Sequence, residues 1–171
     1  DMIVSTNEEN KIRVLRGTGQ GIFSWILPYI DVNAPIATCP SDFDGDGDND
    51  FVALCNTGNA IFYKNDGTGV FTPSGSTVIN APAAIRNIVG DIDNDGDLDI
   101  LLAGNIGSSQ NASKIYKNNG DNNFTEQTGI SLANVCDGSV AWGDYDNDGD
   151  LDILLTGDTS PPSNWIGVSK V

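Results

Sequence analysis

The chain has no histidine, and only eight lysines and arginines stand against 24 aspartates and glutamates, a formal charge of −16. A surface this acidic repels phosphate backbones, which excludes nucleic acid as a partner. Without histidine no Ser/His/Asp or Cys/His set can be assembled, and no acid–base pair converges outside the acidic loops described below; the chain is therefore read as not an enzyme. Cysteine is scarce as well. Cys39, Cys55 and Cys136 are odd in number, too few for a disulfide framework, and lack the C-x-x-C spacing of a zinc site. They read as small buried residues, with a Cys39–Cys55 bridge as the alternative. The longest apolar run, "IFSWILPYI", is interrupted by Ser24 and Pro28. It falls well short of the roughly 20 residues needed to span a bilayer, so no membrane span is expected.

What is present is 39% hydrophobic residues with 20 glycines and 7 prolines in 171 residues, a globular and turn-rich composition of a size suited to one domain. Aligned on itself, the chain yields three copies of D-x-D-x-D-G-D-x-D: "DFDGDGDND" at 42–50, "DIDNDGDLD" at 91–99 and "DYDNDGDLD" at 144–152, starting 49 and 53 residues apart. A period of that size indicates a repeat architecture. Each acidic loop opens onto a short apolar run, "FVALCN", "ILLAGN" or "ILLTGD", too short for a helix and followed by turn residues. Next comes a hairpin pattern, "VLRGTGQGIF", "FYKNDGTGVF" or "IYKNNGDNNF", aligned on Gly19, Gly67 and Gly120 and on Phe23, Phe71 and Phe124. Before the loops lie "PIATCPS", "AIRNIVG" and "SVAWG".

One repeat is therefore four strands: A before the acidic loop, B after it, then C and D. The expected fold is all-β, a β-propeller of four-stranded antiparallel blades. The chain holds about three and a half of them: 1–35 (a blade lacking strand A), 36–84, 85–137 and 138–171 (a truncated blade). "DMIVSTN" at 1–7 matches the residues from Asp50 and from Asp99, so Asp1 reads as the last aspartate of a further loop, and "WIGVSKV" reads as a C strand. Open blade edges carry unpaired backbone groups, so a second copy or the remainder of a longer chain is expected to complete the ring.

In a nine-residue loop, carboxylates at positions 1, 3, 5 and 9 converge only if the backbone wraps around one point, and Gly47, Gly96 and Gly149 at position 6 permit the bend. The all-oxygen donor set selects a hard cation, and the crowded, flexible loop favours Ca²⁺ over Mg²⁺ at three sites. The expected side-chain ligands are Asp42, Asp44, Asp46 and Asp50; Asp91, Asp93, Asp95 and Asp99; and Asp144, Asp146, Asp148 and Asp152. Asp48, Asp97 and Asp150 at position 7 would contribute backbone carbonyls. Solvated acidic turns are the plain alternative, but like charges this close repel unless a cation offsets them. An EF-hand is excluded at position 12, where Ala53, Leu102 and Leu155 stand in place of glutamate and strand follows instead of helix.

The motif D-x-D-x-D-G-x-x-D running into an apolar strand, present in all three loops, resembles the FG-GAP/VCBS repeats of integrin α-subunit propellers and of many bacterial secreted proteins. The resemblance implies a calcium-binding propeller, secreted or at the cell surface, that serves adhesion or protein interaction. The alternatives are a carbohydrate-binding, lectin-like propeller and a targeting module of a secreted enzyme. Calcium loops and C–D turns would share one face, leaving the opposite face, with "NIGSSQNAS" and "DTSPPSN", for a protein or glycan ligand. Trp25 and Tyr29, placed in the first D–A region, and Trp165 are candidate ligand-stacking aromatics, whereas Trp142 is expected in the core. Lys64, Lys117 and Arg16 recur at one C-strand position and are expected at a solvated edge. Asn111 and Asn123 begin glycosylation sequons.

Overall fold

A computed structural model describes residues 2–6, 9–57, 59–74, 79–80, 83–105, 111–120 and 123–159, of which 2–6, 26–28, 79–80 and 83–86 are described by backbone alone. The expected loops at 106–110 and 160–164, the strand containing Trp165, and Asp1 lie outside the described residues. Every regular element described is a strand, and no helix there is long and apolar enough to cross a membrane.

Four antiparallel sheets follow one another along the chain. In the first, β1 (Met2–Thr6), β2 (Lys11–Gly17) and β3 (Phe23–Asp31) lie in sequence order. The second joins β4 (Pro35–Ser41), β5 (Asp50–Cys55), β6 (Asn59–Asn65) and β7 (Phe71–Pro73). The third repeats this order with β9 (Ala83–Gly90), β10 (Asp99–Asn105), β11 (Asn111–Asn118) and β12 (Phe124–Glu126), and β13 (Cys136–Gly143) pairs β14 (Asp152–Asp158) in the fourth. The A–B–C–D order expected from sequence is thus present. One element was not foreseen: β8 (Ile79–Asn80) also pairs with β6, so the outer strand of the second sheet is split in two.

The C–D hairpins close alike. The N–H groups of Thr18, Asp66 and Asn119 donate to the carbonyls of Ile22, Val70 and Asn123 at 2.9, 3.2 and 2.9 Å. Gly19, Gly67 and Gly120 take φ of 80°, 78° and 84°, the left-handed region that explains their recurrence.

The core lies between sheets. Along β5, Phe51, Ala53 and Cys55 pack with Ile12 and Val32 of the first repeat, whereas Val52 and Leu54 pack with Ile100, Leu102, Tyr116 and Phe124 of the third. Along β10, Leu101 and Ala103 turn the other way, toward Ile153 and Leu155 of the fourth. Because side chains alternate across a strand, a blade held between two others must be apolar on both faces, and all six residues of β5 are buried. Phe43 meets Phe62 and Phe124 edge-on, with centroids 5.5 and 6.3 Å apart. In β14 the pattern changes: Ile153 and Leu155 are buried, but Leu154 is 50% exposed, and Tyr145, at the loop position of buried Phe43, is 80% exposed.

Consecutive sheets meet along their early strands, β1 with β4, β4 with β9 and β9 with β13, as blades do around a common axis. Among the described residues they do not close a ring, so the fold stands as an all-β array of antiparallel sheets. The alternative of a Cys39–Cys55 bridge is corrected, because all three cysteines are free. Cys39 pairs with Val52 while Cys55 pairs with Pro35, which sets the two cysteines three pairs apart along the β4–β5 ladder. Burial pushes the Cys39 thiol up to about 11.

Candidate metal centre

The A–B loops are built by their own carboxylates. Position 1 anchors each turn: Asp42 accepts from the N–H groups of Asp46 (3.2 Å) and Gly47 (3.0 Å), Asp91 from Asp95 (3.1 Å) and Gly96 (3.0 Å), and Asp144 from Asp148 and Gly149 (3.1 Å each). Gly47, Gly96 and Gly149 have φ of 94°, 95° and 95°, as the sharp bend requires. Position 4 is also left-handed, with φ of 71°, 58° and 59° at Gly45, Asn94 and Asn147. The sequence reading missed this demand, although the Gly/Asn restriction at position 4 signals it.

Position 9 ties the loop to the sheet. Asp50 accepts from Phe43 N–H at 3.2 Å and, from the end of β6, from Asn65 N–H at 2.8 Å. Asp99 accepts from Ile92 at 2.9 Å and Asn118 at 2.7 Å, and Asp152 from Tyr145 at 2.8 Å. Asp50 and Asp99 are fully buried, and desolvation pushes both carboxyls above the usual carboxylate range against the pull of those N–H groups.

Three carboxylates in each loop, Asp42/Asp44/Asp50, Asp91/Asp93/Asp99 and Asp144/Asp146/Asp152, present oxygens within 4.8 Å of one another. The fourth expected ligand, at position 5, is not among the converging oxygens. Asp46, Asp95 and Asp148 each accept from the position-7 N–H at 3.0 Å, which holds the first two carboxyls below their ordinary value. At position 7 the side chains of Asp48 and Asp97 lean over the C–D hairpin: a Cβ on Gly67 would meet Asp48 Oδ2 at 2.5 Å, and one on Gly120 would lie 3.6 Å from Asp97 Oδ2. Asp150 approaches Asn94 of the neighbouring loop, 3.5 Å away. Acidic loops and hairpins therefore share one end of the sheets. The donor chemistry fits a hard cation: three carboxylate oxygens converge without nitrogen or sulfur, and their mutual repulsion needs positive charge.

Some of that charge comes from lysines expected at a solvated edge. Lys64 hydrogen-bonds Asp44 and lies 3.3 Å from Asp46, and Lys117 hydrogen-bonds Asp93 and lies 3.2 Å from Asp95. Both remain partly solvated, but beside the loops and not on a sheet edge, because β6 and β11 are paired on both sides and end where they carry each ammonium over the carboxylates. The hydrogen bonds to Asp44 and Asp93 raise both ammonium groups, Lys117 to about 12.

Trp25 and Tyr29 stand on β3 itself and not in the connection after it. Arg13 lies 5.4 Å from the Trp25 ring centroid and Lys11 3.5 Å from that of Tyr29. Trp142 packs against the core cluster between the third and fourth repeats, close enough that a Cβ on Gly90 would meet its Cδ1 at 2.8 Å. Of the sequon asparagines, Asn111 Nδ2 donates to the Asp158 carbonyl at 2.8 Å, while Asn123 is exposed.

These geometries separate two roles. Asp99→Ala leaves two backbone N–H donors, those of Ile92 and Asn118, without their carboxylate acceptor at a buried site, and is expected to cost about 2 kcal/mol even in chelator. Asp93→Asn, which keeps size and polarity, is expected to leave the chelated protein within about 1 kcal/mol while weakening cation binding. Denaturant unfolding in chelator and again in calcium checks both.

A family model describing FG-GAP-like repeats matches residues 42–102 and 91–155. No curated protein matches the chain. The matched segments run through all three acidic loops and over more than half of the chain, and with the repeated strand order and carboxylate triads they establish that it belongs to the FG-GAP-like repeat family.

Proposed function

We propose that the chain is a calcium-stabilised extracellular module for protein interaction or adhesion, with no catalytic activity of its own. The observation that carries this is the recurrence of one carboxylate triad at the same strand junction in three repeats. Asp42, Asp44 and Asp50, Asp91, Asp93 and Asp99, and Asp144, Asp146 and Asp152 hold the ion. The position-5 carboxylates and position-7 carbonyls complete the shell. Bound calcium supplies charge and coordination that tie strand A to strand B. Extracellular modules bind calcium at about millimolar affinity, so such loops fill outside cells and empty in cytosol. Equilibrium dialysis with calcium raised well above millimolar is expected to approach three ions per chain; none bound overturns the reading.

A protein ligand is favoured over a glycan because the exposed aromatics on β3 already have Arg13 and Lys11 against their rings, and a sugar would have to displace these cations. A glycan array separates the two. The exposed flank of the fourth sheet supports a further partner. Ala141, Tyr145 and Leu154 line a groove of about 670 Å³ where the second and third sheets bury their counterparts against a neighbour. A second copy or further repeats of a longer chain would cover it and continue the propeller. Light scattering at micromolar concentration tests closure by a second copy, and a stable monomer argues against it.

A further inference from the structure

Among the described residues, two of the three loops meet a cation of their own. Lys64 and Lys117 stand one residue before Asn65 and Asn118, whose N–H groups are held by the buried carboxylates Asp50 and Asp99. That register places each ammonium on the position-3 and position-5 carboxylates of its own repeat, Asp44 with Asp46 and Asp93 with Asp95. Asp44 and Asp93 are also members of the triads. The lysine side chains are 43% and 29% exposed, so their flexible stems have solvent into which the ammonium can swing.

An ammonium and a dication drawn to the same carboxylate oxygens repel one another, and either one relieves the repulsion among the aspartates. We propose that Lys64 and Lys117 are internal counterions that hold their loops together when calcium is absent and leave the carboxylates when it binds. They therefore stabilise the calcium-free fold and weaken calcium binding at those two loops, shifting occupancy toward higher calcium. This rests on the calcium reading above. It differs from an ordinary surface ion pair because the partner carboxylate is itself a ligand. The pair formed by Lys114 and Glu126, 3.0 Å apart and involving no triad carboxylate, serves as the contrast.

Calorimetric calcium titration of the chelated chain, with a melt in chelator, tests the proposal on Lys64→Gln, Lys117→Gln, Lys117→Arg and Lys114→Gln. In each of the first two variants one calcium equivalent is expected to bind about tenfold more tightly than in the unaltered chain, with a lower melting temperature in chelator. Lys117→Arg keeps the charge and is expected to keep the original affinity. Lys114→Gln makes the same change in net charge away from the loops and is expected to leave calcium binding unaltered. If the unaltered chain binds calcium but both loop variants bind it no more tightly, the proposal is overturned and the calcium reading stands. Equal tightening in Lys114→Gln or Lys117→Arg also overturns it. If the unaltered chain binds no calcium, both fall.

Discussion

Chelation with EDTA is expected to lower the melting temperature by about 8–16 °C relative to a sample holding calcium at tenfold over its dissociation constant. Each occupied site then contributes about 1.4 kcal/mol, and three sites about 4 kcal/mol. For a chain of this length, 1 kcal/mol moves the melting temperature by roughly 2–4 °C. The effect is large because each loop joins strand A to strand B of one sheet, and in the second and third sheets strand B is buried between neighbours. Magnesium at the same concentration is expected to restore less, since it keeps its waters and demands a tighter octahedron. Scanning calorimetry in chelator, calcium and magnesium reads all three arms, and coincident melts would refute the assignment of calcium.

Phe43→Ala is expected to destabilise the chain by about 3–5 kcal/mol, the range for emptying a buried aromatic site. Phe43 is 2% exposed and sits against both Phe62 of its own sheet and Phe124 of the next, so its removal opens a cavity between two repeats. Tyr145 holds the same loop position one repeat beyond Ile92 and is 80% exposed. Tyr145→Ala is accordingly expected to change the stability of the isolated chain by no more than about 0.5 kcal/mol. Urea unfolding of the two variants at low protein concentration compares one repeat position in two settings. Equal costs would show that the flank of the fourth sheet is packed after all.

Much of the fold is legible in the chain because its signals are local. The loop D-x-D-x-D-G-D-x-D is nine consecutive residues, and its turn follows from carboxylates accepting N–H groups four and five residues on, with glycine at the bend. The A–B–C–D strand order follows from apolar runs and turn residues repeated in register. Even the shift from alternating to continuous hydrophobicity in "FVALC" announces a strand covered on both faces.

What sequence reading missed depends on residues far apart in the chain. Asp50 and Asp99 count as loop ligands in the sequence, but their burial under the ends of β6 and β11, 15 and 19 residues later, makes them structural anchors as well. Lys64 and Lys117 resemble strand-edge residues until the hairpin brings them back 20 and 24 residues to Asp44 and Asp93. Cys39 and Cys55 occupy paired strands, yet register sets them three pairs apart. The sequence by itself determined the repeat, the strand order and the oxygen chemistry of the loops, since each is written in neighbouring residues. Only the tertiary structure decided which carboxylates converge, which cations meet them and which flank remains exposed, because those outcomes depend on how one strand is laid against the next.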